Sequence, residues 1–160
     1  MRTSNKENIV IVPFESMYSR AFKDLNQWWI EKYFKMEEAD YKSLDNPQSH
    51  IIDNGGYIAV ALQNEKPVGV CALIKMQNTG YDYELSKMGV SPKVHGKGIG
   101  HLLATCIIEK AKELGAKKLF LETHTSLAPA INLYKKLGFK EIKGVATPYE
   151  RSDYQMGLEL

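Results

Sequence analysis

Between Lys93 and His101 the chain reads Lys-Val-His-Gly-Lys-Gly-Ile-Gly-His. Glycines alternate at positions 96, 98 and 100, with two lysines and two histidines interleaved. So little side-chain bulk lets several backbone N–H groups converge on one point. An apolar stripe at helical spacing starts at Ile99, which puts the positive end of a helix dipole directly behind the loop. The chemistry this suits is the holding of phosphate oxygens. Two common phosphate loops do not fit. No Gly-x-x-x-x-Gly-Lys-[Ser/Thr] run is present. The dinucleotide pattern Gly-x-Gly-x-x-Gly/Ala ends on His101 when started at Gly96 and on Leu103 when started at Gly98.

The charge pattern agrees with an anionic ligand at this place. Residues 93–143 carry 10 Lys and Arg against 4 Asp and Glu, whereas residues 1–92 carry 10 against 12. This surplus is local, and nucleic-acid binding calls for a broader basic face. At 160 residues, 44% hydrophobic and 25% charged, the chain is expected to form one domain, 1–160, with a real core. No apolar run is long enough to span a bilayer, and Met1–Glu7 has no export-signal core, so a cytoplasmic location without membrane contact is expected. Cys71 and Cys106 sit in apolar segments and read as buried free thiols. His50 and His124 read as lone surface histidines, and no metal constellation is present.

Elements that must position the loop follow from periodicity. Ile9–Val12 reads as a strand ended by Pro13, Glu15–Phe34 as a helix, and Glu37–Leu44 as a second helix before the Asp45-Asn46-Pro47 turn. Tyr57–Leu62 and Val68–Lys75 form a hairpin, and Tyr83–Val90 is a third strand. The glycine loop leads into a helix from about Gly98 to Leu114, stopped by Gly115. Lys118–Thr123 is a strand, Pro129–Leu137 a helix, and Phe139–Ile142 and Tyr154–Leu160 are closing strands. This order predicts an α/β fold: a mixed, mostly antiparallel sheet with one parallel crossover and flanking helices. The glycine loop then falls at the C-terminal end of the strand entering the crossover, where such sheets bind ligands.

The stretch from Met88 through Gly96, Gly98 and Gly100 to Leu103 resembles the acetyl-CoA pyrophosphate motif of the GCN5-related N-acetyltransferases. Leu119-Phe-Leu-Glu-Thr123 and Ala130-Ile-Asn-Leu-Tyr134-Lys-Lys-Leu-Gly-Phe139 extend the resemblance, which covers about residues 57–143. His95 stands where the family usually has Arg or Gln, and Leu127 where many members have Asn. The resemblance implies acetyl-CoA as co-substrate, held by Met88, Gly89, Val90, His95, Gly96, Lys97, Gly98, Ile99, Gly100 and His101. It further implies direct attack by an amine in a ternary complex, with the Val90 N–H as a candidate donor to the thioester oxygen.

Two side chains are implied for proton transfer. Glu84 occupies the place of the family's glutamate base; strand alternation puts it on one face with Ser86 and Met88. Tyr134 matches the family's tyrosine, a phenol able to protonate a leaving thiolate. Glu122, Asp82 and Glu38 are further carboxylates within view. The acceptor site implied by the family draws on Trp28, Trp29, Tyr33, Phe34, Glu37, Glu38 and Asp40 from the first helices, with Tyr149 and Arg151 opposite. Arg151 is expected to pair with an acceptor carboxylate. The expected acceptor is the primary amine of a small metabolite. A protein lysine or N-terminus, and a non-catalytic acyl-CoA sensor, are the alternatives. A homodimer is a possible assembly.

Overall fold

The computed structural model describes residues 3–4 and 8–160. The Met1–Glu7 stretch, read above for an export signal, thus lies largely outside the described residues. Strands β1 (Thr3–Ser4), β2 (Ile9–Pro13), β3 (Tyr57–Gln63), β4 (Lys66–Lys75), β5 (Tyr83–Val90), β6 (Lys118–Thr123), β7 (Lys140–Ile142) and β8 (Tyr154–Glu159) form one sheet in the order β1-β2-β3-β4-β5-β6-β8-β7. Every neighbouring pair is antiparallel except β5 and β6. This is the mixed sheet with one parallel crossover that the element order predicts.

Helices α1 (Ser19–Tyr33) and α2 (Glu38–Asp45) cover one face; α3 (Ile99–Glu113) and α4 (Ala128–Lys136) cover the other. In α1 the buried residues Phe22, Asn26 and Ile30 recur every four positions, so one stripe meets the sheet. The predicted 15–34 helix begins as a 3₁₀ turn at Ser16–Tyr18 and becomes α-helical at Ser19. A single-turn π-helix at Gln48–Ile52 follows α2. On the opposite face α3 buries Ile99, Leu103, Ala104, Ile107, Ile108 and Ala111. Strand alternation sorts the two cores. Ile58, Val60, Val70 and Ala72 face α1, whereas Ala59, Ala61, Cys71 and Leu73 face α3. Cys71 is buried as expected, but Cys106 is only half-buried; both are free thiols.

Strand β5 breaks this alternation. Ser86 pairs with Ala72 and Gly89 with Val70, so Lys87 and Met88 together stand opposite Cys71. This is a β-bulge, and Lys87 carries it at φ +53°. Glu84 and Ser86, paired with Ile74 and Ala72, stay on the α1 face. Met88 is displaced to the α3 face, where its sulfur lies 3.6 Å from where a Cβ on Gly100 would stand. The expectation that Met88 shares a face with Glu84 and Ser86 is therefore corrected: the bulge adds one residue and reverses the phase beyond it.

The bulged strand also admits α1 at backbone distance. A Cβ on Gly89 would lie 2.8 Å from the Leu25 carbonyl oxygen, which is fixed backbone rather than a movable side chain. Replacing Gly89 by Ala is expected to push α1 off β5 and to cost about 1–3 kcal/mol, as overpacking does. A urea unfolding midpoint equal to that of the parent would show that α1 yields freely.

Candidate active site

The parallel contact between β5 and β6 is brief. Tyr83 pairs with Leu119 and Glu84 with Phe120, and no further pair joins the two strands. Beyond Glu84 the sheet opens. Ser91 N–H donates to Val68 C=O, and in an antiparallel ladder the intervening Val90 then turns its own N–H and C=O away from β4, toward that opening. A cavity of about 410 Å³ occupies the gap. Because the sheet is split there, residues of both faces line it: Glu84, Lys87, Glu122 and Trp29 from the α1 side, Met88 and Tyr134 from the α3 side.

At one end of the opening stands the glycine loop. Gly96 and Gly98 have φ +80° and +77°, a conformation that favours glycine, and no atom lies within 4 Å of a Cβ on either. Gly98 is the N-cap of α3, so the first N–H groups of the helix face the loop. An uncrowded cradle at a helix start, with a strand end beside it that β6 does not pair, fits a phosphorylated ligand with an amide-bearing arm. His95 plays a different part from the Arg or Gln it replaces. Its Nε2 lies 3.0 Å from the Val90 carbonyl oxygen, and its ring packs edge-on to Trp28 at 6.2 Å. It ties the loop to the strand end.

The acceptor half is built around one buried carboxylate. Asp40, on α2, has no exposed surface. Arg151 donates to both of its oxygens at 2.7 Å, Lys87 donates to Oδ1 at 2.6 Å, and the Glu37 N–H donates to Oδ2 at 2.9 Å. Burial opposes the charge on Asp40, yet the Arg151 and Lys87 hydrogen bonds outweigh it and hold the carboxyl down at about 2. Glu37 completes a capping box with Asp40. Its own carboxylate accepts from Arg151 at 3.2 Å and from the Glu150 N–H at 2.8 Å. Lys87, with its side chain 3% exposed, also donates to the Tyr149 hydroxyl at 2.8 Å. Burial pulls the Lys87 ammonium down, and Asp40 counters it. The left-handed φ of Lys87, a strain of about 1–3 kcal/mol, is what brings its ammonium to Asp40 and Tyr149.

Glu84 and Tyr134 lie where the open sheet lets opposite faces meet. No hydrogen bond from a described residue reaches the Glu84 carboxyl. Burial, then the neighbouring Glu122 carboxylate, push it up to about 8, and Lys87 opposes them. Glu122 is held by Ser152, whose hydroxyl donates at 2.8 Å. Tyr134 is 8% exposed, packs edge-on to Phe139 at 5.9 Å, and is pushed up by burial.

Of the residues named from sequence, Trp29, Tyr33, Glu84, Met88, Val90, His95, Tyr134, Tyr149 and Arg151 line the cavity together. Glu38 does not: it is exposed at the start of α2, and the helix turns Asp40 inward in its place. Arg151 lines the cavity while paired with Asp40 and Glu37. His124 also lines the cavity, with its ring held by Ser126 and Asp153. Asp82 lies elsewhere and caps the Lys117 and Lys118 N–H groups. Lys87 is the residue that sequence reasoning passed over. A glycine two positions later in the strand was the available sign of a bulge. Among the described residues, no group of three or more His, Cys, Asp or Glu side chains is placed to hold a metal, and no helix is long and apolar enough to cross a membrane.

The acetyltransferase (GNAT) family model matches residues 22–139, and the chain belongs to that family, whose members use acetyl-CoA. A Bacillus subtilis protein named "Putative [ribosomal protein bS18]-alanine N-acetyltransferase" is 28% identical over 102 residues, 62% of this chain and 60% of that protein. The shared stretch is thus under two thirds of that relative's length. Among solved structures, a GNAT acetyltransferase from Staphylococcus aureus Mu50 superposes with a TM-score of 0.84 at 22% identity, covering 94% of this chain and 98% of the other. An acetyltransferase from Salmonella typhimurium, solved with acetyl-CoA, gives 0.75 at 19% identity, covering 95% and 94%.

Because Asp40 faces two buried cations, Asp40→Asn is expected to lower stability by about 3–5 kcal/mol near pH 7, as removing one partner of a buried pair does. The folded Asp40 carboxyl sits below its unfolded value. Its contribution is therefore complete above about pH 4 and is lost as pH falls toward 2. The gap between parent and variant, measured by chemical denaturation, should narrow by about 2 kcal/mol over that window. A gap that is constant down to pH 2.5 would contradict this.

Proposed function

We propose that the protein is an acetyl-CoA-dependent N-acetyltransferase acting on the primary amine of a small metabolite by direct attack in a ternary complex. The observation that carries this reading is a cavity that Glu84, Tyr134 and Val90 line in common from the two faces of an open sheet. The glycine loop, residues 95–101, would hold the pyrophosphate on backbone N–H groups, with the end of β5 that β6 does not pair beside the pantetheine amides. Bound there, acetyl-CoA supplies the activated acetyl group.

The remaining chemistry belongs to the side chains. An amine must lose a proton to attack, and Glu84 presents an unpartnered carboxyl at the cavity. A carboxyl at about 8 is well matched to this task, since a base titrating near the working pH both accepts and releases protons. The Val90 N–H is aimed at the opening, where negative charge on the reacting oxygen needs a donor. Tyr134, kept protonated by burial, holds the proton that a departing thiolate requires. Trp29, Phe34 and Tyr149 form an aromatic wall suited to an apolar body behind the amine.

A second reading, acetylation of a protein amine, is favoured by the Bacillus subtilis relative, whose name refers to a ribosomal protein substrate. A thiol-release assay with acetyl-CoA against small amines, aminoglycosides and lysine or N-terminal peptides separates the two. Release with peptides alone would overturn the small-metabolite reading, and no release with any amine would favour a sensor.

Two variants test the assigned roles. Tyr134→Phe should lower kcat while acetyl-CoA binding by calorimetry stays unchanged; an unaltered kcat would remove Tyr134 from the mechanism. Glu84→Gln should cost about 10²–10⁴ in kcat and should lose the rise that the parent shows through about pH 8. Stability moves the opposite way. A carboxyl raised in the fold contributes fully below its unfolded value, and that contribution is lost as pH rises to 8. At pH 9 Glu84→Gln should therefore unfold at a higher urea concentration than the parent.

A further inference from the structure

The bulge in β5 places Lys87 against a residue from the far end of the chain. Its Nζ lies 2.8 Å from the Tyr149 hydroxyl oxygen and 4.5 Å from the centre of that ring. Asp40 accepts from the same nitrogen at 2.6 Å, an ion pair that counters the pull of burial on the lysine's charge. An ammonium has hydrogens to give and no lone pair to receive one. The Tyr149 oxygen must therefore accept, and its own O–H hydrogen points away from Lys87. Arg151, 4.6 Å from the ring centre, fixes the phenol from a second direction. No other described residue hydrogen-bonds the Tyr149 hydroxyl, and Tyr149 lines the cavity.

We propose that Lys87 is a positioning residue that turns the Tyr149 O–H into the acceptor cavity, so that the site selects amines carrying a neutral oxygen close to the nucleophilic nitrogen. An amide carbonyl or a hydroxyl meets that description. This inference rests on the amine-acceptor reading above. The neutral character follows from the charges around the cavity. The two cations of the acceptor half, Lys87 and Arg151, are held by Asp40 and Glu37. Glu122 adds a carboxylate on the adjoining wall, beside Glu84, whose carboxyl burial pushes up to about 8 and so keeps largely neutral near pH 7. An acceptor carboxylate would meet the Glu122 carboxylate with both cations already paired. A bare alkylamine would leave the Tyr149 donor unmatched, and a buried donor without a partner is costly.

The test uses three acceptors that share one side chain: phenylalaninamide, phenethylamine and phenylalanine. Each is assayed for thiol release with acetyl-CoA, and each is titrated by calorimetry into the protein saturated with coenzyme A. The amide should exceed the amine about five- to tenfold in kcat/KM and in affinity, the value of one hydrogen bond to a neutral group, and phenylalanine should rank last. Tyr149→Phe should bring the amide-to-amine ratio to about one. Lys87→Met should do the same, and Lys87→Arg should retain part of the preference. The ratio cancels any general loss of activity or of fold. Equal values for amide and amine in the parent, or an unchanged ratio in Tyr149→Phe, would overturn the selectivity. A folded Lys87→Met that keeps the parent ratio would overturn the role of Lys87. Should none of the three release thiol while the binding order holds, the acetyl-transfer reading fails and this inference stands.

Discussion

Everything on the acceptor side depends on the Asp40 carboxylate. Four hydrogen bonds converge on it from three parts of the chain: the start of α2, the bulge in β5, and the segment leading into β8. A buried ion cluster of this kind is a poor source of net stability, because desolvation consumes most of the attraction. Its value lies in geometry. Hydrophobic contacts tolerate sliding, whereas a carboxylate with both oxygens engaged by a guanidinium fork tolerates little. The irregular run between β7 and β8, which has no ladder to hold it, thereby acquires a defined position over the cavity.

The cluster and the opening of the sheet are two consequences of one strand. Up to Glu84, β5 obeys ordinary pairing on both sides. Past that point β6 is lost as a partner, and the bulge rotates Lys87 toward α2 and Met88 toward α3. The same few residues thus supply the unpaired backbone, a wall of the cavity on each face, and the cation that anchors the acceptor side. The close approach of α1 at Gly89 belongs to this design, since a larger residue there would separate Trp29 from the opening.

Much of this was legible in the chain, for local reasons. The limits of β5 follow from its alternation and the Ser91-Pro92 stop, and α3 follows from its stripe and the glycines before it. Glu84 and Tyr134 stand out through the family motif. What stayed hidden depends on contacts remote in sequence. Arg151 and Asp40 are 111 positions apart, so nothing near Arg151 shows that it is already paired. Choosing Asp40 over Glu38 as the inward carboxylate requires the phase of α2 against the sheet, which short helices fix poorly from pattern alone. The bulge is the sharpest case. Lysine is an unfavourable residue for positive φ, so local preference argues against the conformation that tertiary contacts impose.

An unpaired strand edge is usually a liability, because it offers another protein chain a ready template for pairing. Soluble proteins blunt such edges at the borders of their sheets. Here the exposed edge lies in the interior of the sheet, between β5 and β6, with helices on both faces. A foreign strand has no lateral approach to it, while a slender ligand entering end-on does. Placement alone thus converts an aggregation hazard into a selective opening, with no charged or proline gatekeeper needed along that edge.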